Sequence, residues 1–542
     1  MTIDPRYSRT RNVDHDGIDR VVNPAFKIAY GTAGFRDRAE TLPFVMFRVG
    51  FLAALRAKKF NKTVGVMITA SHNPACDNGV KIVDPLGEMM EVAWEVYATD
   101  LANTSDEALL AKMEELKALA PSERQEKAAV VCAVDTRPSG IHLASCVASG
   151  VSLLDVDYEF LDQLTTPQLH YAVRVANDPD YGPAGPGGYE RRFKEAYYQL
   201  KELIPKAKPS ILKLDCANGM GAPKARELFA AINDPDLSVE FLNEKGELNH
   251  ECGADFVKIS KLLPRAFGDV APDVRCASLD GDADRLIYFR ASDSQRLDAS
   301  EIGVTLLDGD KIATLFSRFL IEQLREAGLF GQLTVGVVQT AYANGASTAY
   351  IRDVLGVTPV FVPTGVKHLH HEAVKYDIGV YFEANGHGTV CFSDKFKETV
   401  KERKDENVAT ARLRYFSRVV NEIVGDALAD LLAVELLLMY YGWNVVDWDQ
   451  DLYKDAPNVQ KKVPVLDRSI YSTTWDETRL LTPIALQNTI DATVKEHGAI
   501  RAFVRPSGTE NIVRVYVEAH TAEVAEKIAS VLASFITGQS PR

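Results

Sequence analysis

The chain of 542 residues carries 61 lysines and arginines against 75 aspartates and glutamates, a formal net charge of −14, with 46% hydrophobic and 25% charged residues. That balance argues against global disorder, and against a general nucleic-acid binder, which needs a basic face for phosphates. Seven cysteines, an odd number without a C-x-x-C pair, argue against a disulfide framework and a thiolate zinc site and predict a reducing compartment.

At about 150 residues per domain the length predicts three or four domains. The opening Met1–Tyr7 lacks the apolar core of a signal peptide. Val64–Ile68 reads as a buried strand running into Thr69-Ala-Ser-His-Asn-Pro74. Ser71 would then sit at the strand's carboxyl end, where open α/β sheets bind ligands. Beside His72 and ahead of Asn78-Gly-Val-Lys81, it is a candidate nucleophile with a cation close by. Ala129–Val134 runs into Asp135-Thr-Arg-Pro-Ser-Gly140 with the same grammar. The glycine- and proline-rich stretch Asp178–Gly188 ends a first domain near residue 185.

Strand, glycine-bearing loop and helix recur at Ile211–Leu214, Asp215–Gly221 and Pro223–Ala231, and again from Val335–Val338 into Gln339–Gly345. This repetition predicts three α/β domains of similar plan. His370 and His371 are expected on an ordinary helix surface, and Lys395–Asn407 as a solvated helix face or mobile loop. Ala427–Tyr440 is the most apolar stretch, but Asp430 and Glu435 interrupt it, so it reads as a buried helix and not a membrane span. From about residue 450, strand-like Ile500–Val504 and Ile512–Val517 around a loop, then helical Ala522–Phe535, predict a small α+β domain. The expected protein is cytoplasmic, with neither a membrane nor a nucleic-acid partner.

Three loops add chemistry to Ser71. In Asp280-Gly-Asp-Ala-Asp-Arg285, Asp280, Asp282 and Asp284 can converge on one hard cation, Mg²⁺ or Ca²⁺. An EF-hand fails, because Arg285 stands where glycine is needed and Ala291 where glutamate is needed. Three carboxylates with few other ligands suit Mg²⁺ shared with a phosphate oxygen. Arg505-Pro-Ser-Gly-Thr-Glu510 holds the parts of a phosphate cradle: the Arg505 fork, the Ser507 and Thr509 hydroxyls and Gly508, with Arg514 a strand's length onward. No G-x-x-x-x-G-K-[ST] motif is present. Glu383-Ala-Asn-Gly-His-Gly388 follows the strand Gly379–Phe382 and suits sugar hydroxyls. A serine, a hard metal, a phosphate cradle and a polyol reader point to phosphoryl transfer on a sugar phosphate.

These four loops, in this order and spacing, resemble those of the α-D-phosphohexomutases over nearly the whole chain. The resemblance implies an α/β fold: three similar mixed α/β domains and a smaller C-terminal α+β domain around a central active-site cleft. The expected domains are 1–185 (phosphoserine), 186–300 (metal), 301–447 (sugar) and 448–542 (phosphate). Ala283 stands where many members have glycine, and Asn385 where many have serine. With Gly31-Thr-Ala-Gly-Phe-Arg36 and Thr364-Gly-Val-Lys-His-Leu-His370, these variants are similar to the eukaryotic phosphoacetylglucosamine mutase branch. That branch interconverts N-acetylglucosamine 6-phosphate and 1-phosphate on the route to UDP-N-acetylglucosamine.

The implied mechanism passes a phosphoryl group from phosphorylated Ser71 to the sugar phosphate. A sugar 1,6-bisphosphate, also the activator, turns over and returns its other phosphate. Mg²⁺ would sit on Ser71, Asp280, Asp282 and Asp284, beside Arg285. Arg36, His72 and Lys81 would flank the phosphoserine, with Lys81 the candidate acid or base in a crowded cationic site. Thr364, Gly365, Glu383, Asn385 and His387 would bind the sugar, the Asn385 amide meeting its 2-acetamido group. Arg505, Ser507, Gly508, Thr509 and Arg514 would hold the non-reacting phosphate. A monomer is expected. Alternatives are a phosphoglucomutase or phosphomannomutase of the same family, a metal-dependent sugar phosphatase with a serine nucleophile, and a catalytically silent relative.

Overall fold

A computed structural model describes residues 4–23, 25–205, 210–298, 301–403, 407–507 and 511–539. The strand Thr63–Ile68 shows how its sequence builds a sheet. Val64, Val66 and Ile68 enter one hydrophobic core and Met67, pointing the other way, a second one. Alternation places successive side chains on opposite faces, and a parallel strand with both faces covered reads as a continuous apolar run.

This strand is third in a five-stranded sheet ordered Phe35–Arg38, Asp77–Val83, Thr63–Ile68, Ala129–Val134, Asp157–Gln163. Its pairing is parallel with Ala129–Val134 and antiparallel with Asp77–Val83. Under the sheet, helices Pro43–Phe60 and Gly140–Val151 cross at closest quarters. A Cβ on Gly50 would lie 2.1 Å from the Val147 carbonyl oxygen, and one on Gly150 1.9 Å from that of Phe47. Only glycine at both positions lets the two backbones touch.

The plan recurs. A second five-stranded sheet runs Glu301–Leu307, Leu286–Asp298, Arg275–Leu279, Ser210–Asp215, Leu237–Leu242, and a four-stranded one Val360–Phe361, Val335–Gln339, Ile378–Phe382, Gly388–Phe392. In each of the three sheets a parallel strand turns through a short loop into an antiparallel neighbour. Those three loops hold Ser71, Asp280 and Glu383. A three-stranded antiparallel sheet, Asn458–Pro464, Ile512–Glu518, Arg501–Pro506, places the Arg505 loop between its last two strands in chain order. The chain thus has the mixed α/β architecture expected.

Two compact units emerge: residues 1–308 with 415–445, and 309–414 with 446–542. The segment 415–445 packs in the first unit. Its helix Ala427–Tyr441 is buried on every side, as an all-round apolar helix must be. Glu435 is accommodated there by Arg275 at 2.6 Å and by the Tyr288 hydroxyl at 2.8 Å. Among the described residues no single helix is long and apolar enough to cross a membrane. All seven cysteines are free. One expectation is corrected: on helix Val366–Ala373, His370 is buried, its Nδ1 3.2 Å from the Tyr381 hydroxyl, and only His371 faces outward.

Candidate active site

In the first unit Ser71 has φ +53°, in the left-handed region. That conformation costs a non-glycine residue on the order of 1–2 kcal/mol and persists where its surroundings fix it. Here the Ser71 amide donates to Thr69 Oγ1 (2.9 Å), whose hydroxyl donates to Asp135 Oδ2 (2.7 Å). The Ser71 carbonyl accepts from Arg137 Nη2 (3.2 Å) and Asn249 Nδ2 (3.0 Å). The same two groups hold the Asn73 carbonyl, at 2.7 and 3.2 Å. Arg137 is ion-paired with Asp135, both fully buried. Burial pushes the Asp135 carboxyl up, and the Arg137 charge works against that rise.

So fixed, the Ser71 hydroxyl donates to Asp280 Oδ2 at 2.6 Å. The metal loop comes this close because Gly281 has no side chain: a Cβ there would lie 2.4 Å from the Ser71 carbonyl oxygen. Asp280 Oδ1 accepts the amides of Asp284 (3.0 Å) and Arg285 (3.1 Å), curling the loop over its own first residue. Asp280, Asp282 and Asp284 are buried, with one carboxylate oxygen of each within 4.8 Å of the others. Burial, then the charges of Asp284 and Asp282, push the Asp280 carboxyl well above the carboxylate range. Asp282 Oδ2 accepts from Thr166 Oγ1 (2.6 Å), while Oδ1 is buried with no hydrogen-bond partner among the described residues. An all-oxygen donor set with an orphaned buried carboxylate atom fits a hard divalent cation such as Mg²⁺.

Basic side chains surround this group. Lys81 Nζ lies 3.2 Å from Asp284 Oδ2 and 3.7 Å from Asp282 Oδ2. Its nearest charges are these carboxylates. Arg285 pairs with Asp255 (2.7 Å), and His72 Nε2 is 3.7 Å from the same carboxylate. Burial and the Arg285 charge push His72 down to about 3. Arg36 donates to Asn73 Oδ1 at 3.4 Å, and burial, then Arg285, lowers its guanidinium.

Ala283 adopts φ +56°. Its carbonyl accepts the first amide of helix Ala427–Tyr441, from Ala427 at 3.1 Å.

The second unit holds the other two loops. Glu383–Gly388 is a tight turn: the Glu383 amide donates to the His387 carbonyl (2.8 Å) and the Gly386 amide to that of Glu383 (2.9 Å). Asn385 Oδ1 accepts from the His387 amide (3.0 Å) and Nδ2 donates to Glu383 Oε2 (3.2 Å). Asn385 therefore shapes the loop with both ends of its amide. Thr364 donates through its amide (3.0 Å) and hydroxyl (2.6 Å) to Glu477 Oε2, and Gly365 has φ +128°.

Arg505 pairs with the same carboxylate oxygen at 3.3 Å. It lies directly opposite Arg514, which is opposite Lys462 on the next strand. Directly opposed residues share a face, so the three cations form a row across the sheet. The Ser507 carbonyl accepts from Arg468 Nη1 (2.8 Å). Gly508 and Thr509 lie outside the described residues.

Sequence reasoning missed Asp135, Arg137, Thr166, Asn249, Lys462 and Glu477. Asp135 and Arg137 follow the strand beside that of Ser71, so the rule that located Ser71 would have found them. Thr166 begins a helix behind the Thr165–Gln168 capping box. Asn249 and Glu477 carried no signal.

Among solved structures, an N-acetylglucosamine-phosphate mutase in its product complex, a member of the α-D-phosphohexomutase superfamily, matches at 42% identity and a TM-score of 0.88, over 95% of this chain and 97% of that one. The class is therefore that of the α-D-phosphohexomutases. Family models match as "Phosphoacetylglucosamine mutase AMG1, domain III" over residues 308–443 and "domain II" over 172–287. The C-terminal domain and the alpha/beta/alpha domain I of "Phosphoglucomutase/phosphomannomutase" match over 456–534 and 52–108. The Homo sapiens phosphoacetylglucosamine mutase is 46% identical over 512 residues, covering 93% of this chain and 92% of its own. The chain belongs to the phosphoacetylglucosamine mutase family. The Aspergillus fumigatus N-acetylphosphoglucosamine mutase in complex with GlcNAc-6P and magnesium is 41% identical, with a TM-score of 0.88 over 94% of this chain and 96% of that one. A variant of that enzyme in complex with glucose 1,6-bisphosphate matches at 40% and 0.87 over 95% and 96%.

Proposed function

We propose that this chain interconverts N-acetylglucosamine 6-phosphate and N-acetylglucosamine 1-phosphate through phosphorylated Ser71 and a sugar 1,6-bisphosphate, with Mg²⁺ as cofactor. The observation that carries this reading is the Ser71 hydroxyl, fixed 2.6 Å from Asp280 among three buried aspartates in a chain of this family.

Phosphorylated Ser71 gives its phosphoryl group to the free hydroxyl of the sugar phosphate. The Ser71 O–P bond breaks, a sugar O–P bond forms, and the hydroxyl proton passes to a base, the role proposed for Lys81. The bisphosphate turns, its other phosphoryl group returns to Ser71, and the proton goes back to the freed sugar oxygen. Bound at Ser71, Asp280, Asp282 and Asp284, Mg²⁺ would supply Lewis-acid neutralisation of the transferring group. Arg36, His72 and Arg285 surround Ser71 with donors and positive charge suited to a phosphoserine.

Arg505, Ser507, Gly508, Thr509 and Arg514 hold the phosphate that is not reacting. Thr364, Gly365, Glu383, Asn385 and His387 bind the sugar, Asn385 by setting the loop's shape. The reading includes domains of 1–185, 186–300, 301–447 and 448–542 and a monomer working in the cytoplasm.

A phosphorus NMR time course with Mg²⁺, a trace of sugar bisphosphate and N-acetylglucosamine 6-phosphate tests the proposal. A 1-phosphate signal should grow faster than from glucose or mannose 6-phosphate, and Ser71→Ala should lower turnover at least about 10³-fold. Equal conversion of glucose 6-phosphate would overturn the sugar assignment. Inorganic phosphate as the sole product would overturn the mutase.

A further inference from the structure

We propose that Glu477 is a built-in competitor of the substrate's phosphate. Its carboxylate holds the donors that the sugar phosphate needs and is displaced when the phosphate arrives. The inference rests on the functional reading above, which gives Arg505 to the phosphate and Thr364 to the sugar.

One oxygen makes all the contacts. Glu477 Oε2 accepts the amide and hydroxyl of Thr364 at 3.0 and 2.6 Å and lies 3.3 Å from Arg505 Nη1. The cation row of Arg505, Arg514 and Lys462 calls for an anion, and among the described residues Glu477 is a carboxylate paired with its Arg505. A phosphate dianion on Arg505 would stand within a few ångströms of this carboxylate. Like charges that close, in side chains only 17% and 11% exposed, disfavour joint occupancy.

The contact is built by its turn. Glu477 has φ +57°, a conformation few non-glycine residues adopt. Its amide donates to the Thr474 carbonyl (3.0 Å), and Asp476 Oδ1 ties the Thr474 hydroxyl (2.5 Å) to the Thr478 amide (3.3 Å). Trp475 sets its ring edge against His368, with 5.9 Å between ring centroids.

Elsewhere this last domain is anchored independently. Arg501 donates to the Ala341 carbonyl (2.9 Å), Glu518 accepts the Gly345 amide (2.9 Å), and Asn344 exchanges hydrogen bonds with Ala456. Glu477 can thus let go of Arg505 while the domain stays attached. When a phosphate leaves Arg505 so that the bisphosphate can turn, Glu477 takes its place and the guanidinium is not stranded without a partner.

Calorimetric titration of inorganic phosphate and of N-acetylglucosamine 6-phosphate into the full chain tests this in wild type, Glu477→Gln and Glu477→Ala. Both variants should bind both ligands about threefold to tenfold more tightly, with KM falling and kcat not rising. Adding Arg505→Gln should erase the gain. A merely structural Glu477 would give unchanged or weaker binding with a lowered melting temperature, and that result in Glu477→Gln overturns the proposal. Should wild type fail to convert the sugar phosphate, the functional reading falls, while the inorganic phosphate titration still decides the competition at Arg505.

Discussion

Ser71 is 1% exposed and its backbone is gripped by Thr69, Arg137 and Asn249, whereas the Arg505 guanidinium, among the described residues, lies over the Tyr342 ring and is met by the Glu477 carboxylate. Both lie where one strand of their sheet turns into its antiparallel neighbour, Ser71 in the turn and Arg505 at the strand's end. The difference is in what holds each loop. Around Ser71 the partners come from strands and loops up to 209 residues away, and the central ones are buried. Around Arg505, among the described residues, they are a row of like charges, the Tyr342 ring and a movable acid. Phosphoryl transfer needs its atoms fixed, because catalysis there rests on positioning and preorganised charge. Holding either end of a turning sugar needs groups that can let go. The contrast follows from the two tasks.

The largest expected effect breaks the fixed half. Arg137→Met would leave Asp135 buried without its charge partner and leave the Ser71 and Asn73 carbonyls with Asn249 as their remaining donor. Removing one member of a buried ion pair costs about 3–5 kcal/mol. Denaturant unfolding followed by probes in each compact unit should show the first unit melting early, and kcat should fall with it. An unchanged transition would mean that the strained Ser71 needs no clamp. Next in size is Thr166→Val. Its hydroxyl orients Asp282 from 2.6 Å, and loss of such a partner typically costs about 10- to 100-fold in metal affinity. Mg²⁺ titration by calorimetry should show that loss, with Thr166→Ser restoring most of it. Full affinity in the valine variant would leave Thr166 only as the start of its helix.

What could be read in the sequence divides along the same line. The four loops were legible because their chemistry demands contiguous, unusual residue types: alternating aspartates, or an arginine, hydroxyls and glycine in one turn. The strands leading into them were legible from apolar runs. The supports were legible only in part: Arg137 follows a strand read from its apolar run, whereas Thr166 and Asn249 are ordinary residues until folding carries them to Asp282 and Ser71. The left-handed backbone of Ser71, a non-glycine residue, has no sequence mark at all. Asn385 is a sugar ligand by the resemblance, and what no local pattern marks is that each end of its amide also makes one contact within the turn, to the His387 amide and to Glu383.

The smallest effect on activity sharpens the comparison from the other side, by loosening the second unit away from its loops. Asp377 precedes strand Ile378–Phe382, at the end opposite Glu383. It accepts the Thr334 amide (2.8 Å) and hydroxyl (3.0 Å), the Ser393 hydroxyl (2.8 Å) and Lys395 Nζ (3.0 Å), so it ties three strand ends together. Burial alone would raise its carboxyl, but these donors outweigh burial and hold it at about 2. A carboxyl lowered by folding adds stability that is fully present above its unfolded value. That stability is lost as pH falls through the folded one, here from about pH 4 down to about pH 2. Asp377→Asn should therefore cost about 1–2 kcal/mol at pH 7, and the gap to wild type should close as unfolding is measured toward pH 2. KM and kcat at pH 7 should stay within about twofold, because additivity holds for features without shared partners. A large rise in KM would mean that the sugar loop feels the far end of its sheet, and that the second unit is as tightly coupled as the first.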